Sequence, residues 1–204
     1  MRHPELFLVP VLMLADYYLT LVGFLLYRKG YRNHVKIEQY ELNPVWQSSI
    51  AKMRWLNPRH LLITALVTGA IYLFLEVCEA PDETAAFLLG ICVMSSVVVV
   101  GRHLAGLMIF RHAMRHPDQF SGSVQIGYEM TVRTSQYQIL ATGLPLVVVA
   151  LLAPSPFVIG GTLSVLFLGL IHGVWLRRYR KKRAKEEAIQ AEAAEGEQPP
   201  DPDS

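Results

Sequence analysis

Apolar residues in this chain are gathered into long blocks, and the polar ones fall mostly between them. A bilayer core of roughly 30 Å takes about 20 residues of helix, with a working range of about 17 to 25. Five blocks approach that length: 6–27, 60–78, about 85–110, about 137–153 and 157–176. The fourth is the shortest and the most diluted by polar side chains. The stretch Ala153-Pro154-Ser155-Pro156 breaks the fourth from the fifth, because each proline fixes its own φ. Pro10 and Pro145 fall in or beside blocks, where neighbouring helices satisfy the carbonyls that proline frees. The first block carries Asp16 and ends in Tyr-Arg-Lys, so it reads as a retained span and not as a cleaved signal sequence. The pattern predicts an all-α integral membrane protein: a polytopic domain over 1–176 and a tail over 177–204.

The connecting segments have patterns of their own. In the loop 28–59, the stretch His34 to Leu42 alternates apolar and polar residues and includes the β-branched Val35 and Ile37, which predicts a strand. Asn43-Pro44 then reads as the cap and first position of a helix carrying Trp46, Ile50, Met53 and Trp55 with Lys52 and Arg54. Such a helix would lie amphipathically at the headgroup level. In the loop 111–136, Val124, Ile126 and Tyr128 alternate in the same way, and Ile-x-Tyr-Glu-Met echoes the Ile-x-x-Tyr-Glu-Leu of the first loop. Taken as a repeat, this predicts two parallel halves whose strands pair in a small cytoplasmic β-ribbon.

Charge adds an orientation. The net charge of +2 is a small difference between 19 basic and 17 acidic residues, and it matters less than where they lie. With five spans drawn, every basic residue except Arg2 and the intramembrane Arg102 falls on one side. That asymmetry predicts an external N-terminus and a cytoplasmic C-terminus in a plasma membrane. The absence of a glycosylation motif agrees with a prokaryotic source. The basic run Arg177 to Lys185 reads as a stop-transfer cluster that holds anionic lipid, not nucleic acid. From Gly196 the acidic, Pro-rich end reads as disordered.

Polar groups inside the blocks are costly and are therefore candidates for function. Asp16 lies near the middle of the first span, and Thr20 and Gly23 share its face. Its natural cation is Arg102, roughly 24 Å into the third span against about 16 Å for Asp16, and a long side chain narrows the gap. His103 and His172 come at similar depth on spans of the same direction, which makes them a candidate pair for haem iron or a metal ion. His60, Arg111, His112, Arg115 and His116 sit at the cytoplasmic edge and suit anionic headgroups. Glu41 and Glu129 complete the cytoplasmic-face candidates. Cys78 and Cys92 lack metal-ligand spacing, and their depths oppose a disulfide. Gly169 and Gly173 give a GxxxG spacing that suits close helix packing within the chain.

No GxSxG, HExxH, Walker A or GxGxxG pattern is present, which argues against an enzyme. The sequence favours a non-enzymatic component or accessory subunit of a membrane complex, associating with a protein partner or with its own copies. A small oligomeric transporter or channel, with Asp16, Arg102 and Glu129 near its pathway, is the second reading. A haem- or lipid-binding protein using His103 and His172 is the third.

Overall fold

In the computed structural model the structure describes residues 2–196. The Pro-rich end assigned to disorder lies, beyond Gly196, outside the described residues. After a 3-10 turn, Pro4–Phe7, the chain forms α1 (Leu8–Lys29), β1 (Val35–Ile37), α2 (Gln47–Ala51) and α3 (Pro58–Tyr72), the last extended by a π-turn, Leu73–Val77. Then come α4 (Asp82–Arg115), β2 (Val124–Ile126), α5 (Tyr128–Leu152) and α6 (Pro156–Gly196). Five of these, α1, α3, α4, α5 and α6, are long and apolar enough to cross a membrane, and the chain is a multi-pass, all-α membrane protein.

α4 is the centre of the bundle. α1 packs on one side of it and α6 on the other; α5 lies mainly on α6, and α3 lies against α1. Glycines set the α4–α6 contact. A Cβ on Gly90 would lie 2.1 Å from the Phe157 carbonyl oxygen, and one on Gly160 would lie 2.2 Å from that of Phe87. The backbones therefore touch where two glycines face each other's helix, the close approach that small residues allow between membrane helices. Gly169 and Gly173 face Leu140 and Gln136, so that spacing serves the α5–α6 contact. At one end of the bundle, the first 3-10 turn, α1, α3 with its π-turn and α4 bury Leu6, Val9, Ile71, Leu75, Ala85 and Leu89 together.

The two strands pair in parallel, Val35 opposite Val124 and Ile37 opposite Ile126. The first is much shorter than the alternation predicted. Val124 N–H donates to the His34 carbonyl at 2.8 Å and Glu38 N–H to that of Ile126 at 3.0 Å, which ends the ladder. Beyond it the Glu38 carboxylate accepts the Tyr128 N–H at 2.8 Å and caps α5, as a negative group at a helix N-terminus should. Here the likeness of the two loops ends as well. Tyr40-Glu41-Leu42 turns into the bundle, whereas Tyr128-Glu129-Met130 begins a helix.

The amphipathic helix is also shorter than predicted. Asn43 opens a turn, its side chain accepting the Val45 N–H at 3.0 Å, and α2 occupies only Gln47–Ala51. Met53, with φ of 51°, enters the left-handed region and ends it. Ile50 is buried with Tyr17 and Leu21 of α1, and Trp46 packs edge-on to Tyr17. The segment is thus pinned to α1 by its apolar face, and of its two tryptophans Trp55 remains exposed.

Candidate functional site

Polar side chains from four helices and one loop converge in the bundle. From α1, Asp16 and Thr20 lie one turn apart on one face. The Asp16 carboxylate is 2.9 Å from Nε2 of His103 on α4. The Thr20 hydroxyl donates to the Asp16 carbonyl at 2.9 Å and lies 3.3 Å from the same His103 nitrogen. The partner of Asp16 is therefore His103 and not Arg102. The two are adjacent in sequence but about 100° apart around α4, and the histidine faces α1.

Arg102 faces the other way. Its guanidinium donates to the Ser135 hydroxyl of α5, which lies 3.0 Å from Nε2 of His172 on α6. His172 Nδ1 is 2.9 Å from the Leu168 carbonyl. A carbonyl only accepts, so the proton sits on Nδ1, Nε2 accepts from Ser135, and the Ser135 oxygen accepts from Arg102. This chain of donors links α4, α5 and α6. A further contact, Gln136 Nε2 to the Gly169 carbonyl at 3.0 Å, ties α5 to α6. Both nitrogens of His172 are thereby committed, and His103 is engaged with Asp16 and Thr20. The pairing of His103 with His172 on haem iron or a metal is not assembled, since each ring serves a different helix contact. Among the described residues no group of three or more His, Cys, Asp or Glu side chains is placed to hold a metal ion.

The loop after β1 fills the notch between the two halves of the layer. The Tyr40 ring packs among Phe24, Tyr27 and Phe110, and its hydroxyl occupies the place of a missing side chain: a Cβ on Gly23 would lie 2.2 Å from it. Leu42 packs instead on Tyr128, Val132 and Leu176 of α5 and α6. Glu41 sits between them, its carboxylate accepting the Asn43 N–H at 2.7 Å. Burial pushes the Glu41 carboxyl above its ordinary value; the Asn43 N–H pulls against this, the Asp16 charge adds to it, and the charges of His103 and Arg102 lower it again. Burial, with the Glu41 charge behind it, raises the Tyr40 hydroxyl as well.

This arrangement gives a pH dependence of known sign. A carboxyl raised on folding stabilises the folded state fully only below its unfolded value, and that contribution is lost as pH rises through the folded one. The protein is expected to lose part of its stability as pH climbs above the ordinary 4.5, and Glu41→Gln to flatten that loss while keeping the acceptor for Asn43. Melting curves of both proteins from pH 4 to pH 8 measure it; parallel curves would show Glu41 ionising freely.

The remaining candidates disperse. His60 is buried, stacked on Tyr17 at 4.5 Å with Trp46 edge-on, so its role is packing at the start of α3 and not headgroup contact. Glu129, at the start of α5, is bound by Arg133 and Arg180. Arg111, His112, Arg115 and His116 line one exposed side of the end of α4. Cys78 and Cys92 are free thiols, the first exposed and the second partly buried. Ser135 and Tyr40 are central to the layer and absent from the sequence candidates. Ser135 had one signal: it shares the spacing of Tyr128, Val132, Ile139 and Gly143, the buried face of α5.

Fold and layer together define a helical multi-pass membrane protein with charged groups joined across its spans. Compared with protein-family models, with curated proteins and with solved structures, the chain matches none.

Proposed function

We propose that this chain is a non-enzymatic component of a larger complex in the plasma membrane of a prokaryotic cell, its N-terminus outside and its strand pair, α2 and tail in the cytoplasm. The observation that carries this reading is the polar layer. Asp16 with His103 joins α1 to α4, and Arg102, Ser135 and His172 join α4, α5 and α6. Groups spent on such contacts are glue between helices, and they hold a scaffold rigid. α3 supplies the second support. Within the chain it rests mainly on α1, and Leu62, Leu66 and Leu73 lie exposed along one side of it, a surface open to lipid and to a partner helix alike. The basic residues in the loops and the run after α6 support the orientation.

A transporter is the second reading, favoured by one observation: the Asp16 side chain keeps 43% of its surface accessible against 19% for His103. Native mass spectrometry of the protein extracted gently from its own membrane tests the first reading. A stoichiometric protein partner is expected. A chain that emerges alone, or only as closed rings of itself with a solute bound, would overturn it.

A further inference from the structure

The end of α4 carries a feature that the polar layer does not use. Met108, Arg111, His112, Arg115 and His116 recur at helical spacing along one exposed side of α4 and line a shallow, open cleft of about 350 Å³. Ala113 is buried, so the bundle side of this turn is the other one, and the cleft looks away from the protein. Its depth follows from length. α4 has 34 residues, about 51 Å at 1.5 Å each, which exceeds a hydrocarbon core of roughly 30 Å. Its apolar run ends at Phe110, and Arg111 is the next residue. The stripe thus crosses from chain depth at Met108, 73% exposed, to headgroup depth at Arg115 and His116.

The cations of the cleft are free. Arg133, Arg180 and Arg183 each pair with a glutamate, whereas Arg111 and Arg115 make neither an ion pair nor a side-chain hydrogen bond among the described residues. The His112 ring is held by Gln119, Nε2 to Oε1 at 3.2 Å, and its centroid is 4.6 Å from that of His116. No carboxylate lines the cleft.

We propose that this side of α4 is a binding site for the phosphate headgroup of an anionic membrane lipid. Arg111 and Arg115, one turn apart, present guanidinium forks that match phosphate oxygens. His112 and His116 flank them, and Met108 lies along the first methylenes of an acyl chain. The apolar residue on the same stripe assigns the phosphate to a lipid and not to a soluble anion. The site stands whether or not the chain has a protein partner.

The test is native mass spectrometry of the full chain in neutral detergent, titrated with phosphatidylglycerol, with phosphatidylcholine and with inorganic phosphate. The tightest bound phosphatidylglycerol is expected to weaken about 30-fold in Arg111→Gln/Arg115→Gln, and by less than about threefold in Arg32→Gln/Lys36→Gln, a control pair of exposed cations in the loop around β1 that removes the same charge. Phosphatidylcholine should bind both proteins weakly and alike. Equal losses from the two pairs, or none from the first, would overturn the site; displacement of the lipid by millimolar phosphate would reassign it to a free anion. If the glutamine pair melts early without lipid, Arg111→Lys/Arg115→Lys decides instead. It keeps the charge and loses the fork, and undiminished binding would refute recognition by the guanidinium groups.

Discussion

Gly90→Ala is expected to cost at least about 3 kcal/mol, the largest penalty of any single added methyl in the described bundle. The new Cβ would sit 2.1 Å from a backbone carbonyl oxygen of Phe157 and 3.0 Å from its Cα, so no rotamer relieves it and α4 must move off α6. Gly160→Ala, 2.2 Å from the Phe87 carbonyl oxygen, should behave alike. Gly169→Ala meets only the Leu140 side chain, which can turn aside where a backbone cannot, and should cost less. Gly101→Ala and Gly106→Ala, with nothing within 4 Å, should leave stability unchanged or raise it by up to about 1 kcal/mol through reduced chain entropy. Unfolding in mixed micelles of graded denaturing detergent ranks the five variants. A Gly90→Ala protein as stable as the Gly101→Ala one would mean that α4 and α6 do not touch through their backbones.

Much of the frame was legible because hydropathy acts over a whole span. Five apolar blocks became five helices, and the reason is the cost of unpaired backbone groups in lipid. The start of α5 was hidden: Glu129, Arg133, Gln136 and Gln138 dilute the apolar average there, and only the buried spacing of Tyr128, Val132, Ser135 and Ile139 marks the helix. The site was legible by residue type and not by pairing. Counting residues fixes depth along a helix, but Arg102 and His103 differ by one step of depth and about 100° of direction, and direction depends on where α1 packs. The entry of Tyr40, Glu41 and Leu42 into the bundle is a long-range event. Their alternation looks the same in a strand that continues and in a loop that turns inward, and the notch opposite Gly23 and Val132 decides between them.

Whether the charged groups of the bundle are a clamp comes down to Asp16→Asn. The substitution keeps the shape and leaves an acceptor near His103 Nε2, but it removes the charge from a contact of 2.9 Å that ties α1 to α4. Polar contacts between membrane helices are worth on average about 0.6 and at most about 1.7 kcal/mol. A charge-assisted one belongs near the upper end of that range. The Thr20 hydroxyl keeps its bond to the residue 16 carbonyl, so local helix structure should survive. The decisive measurement is the unfolding midpoint of Asp16→Asn beside that of the unaltered protein in the same detergent, with solute flux measured in vesicles of each. A clamp predicts a lower midpoint, equivalent to a loss of about 1 to 1.7 kcal/mol, and no flux in either protein. An unchanged midpoint together with a flux that the substitution abolishes would contradict it, and would make Asp16 part of a pathway.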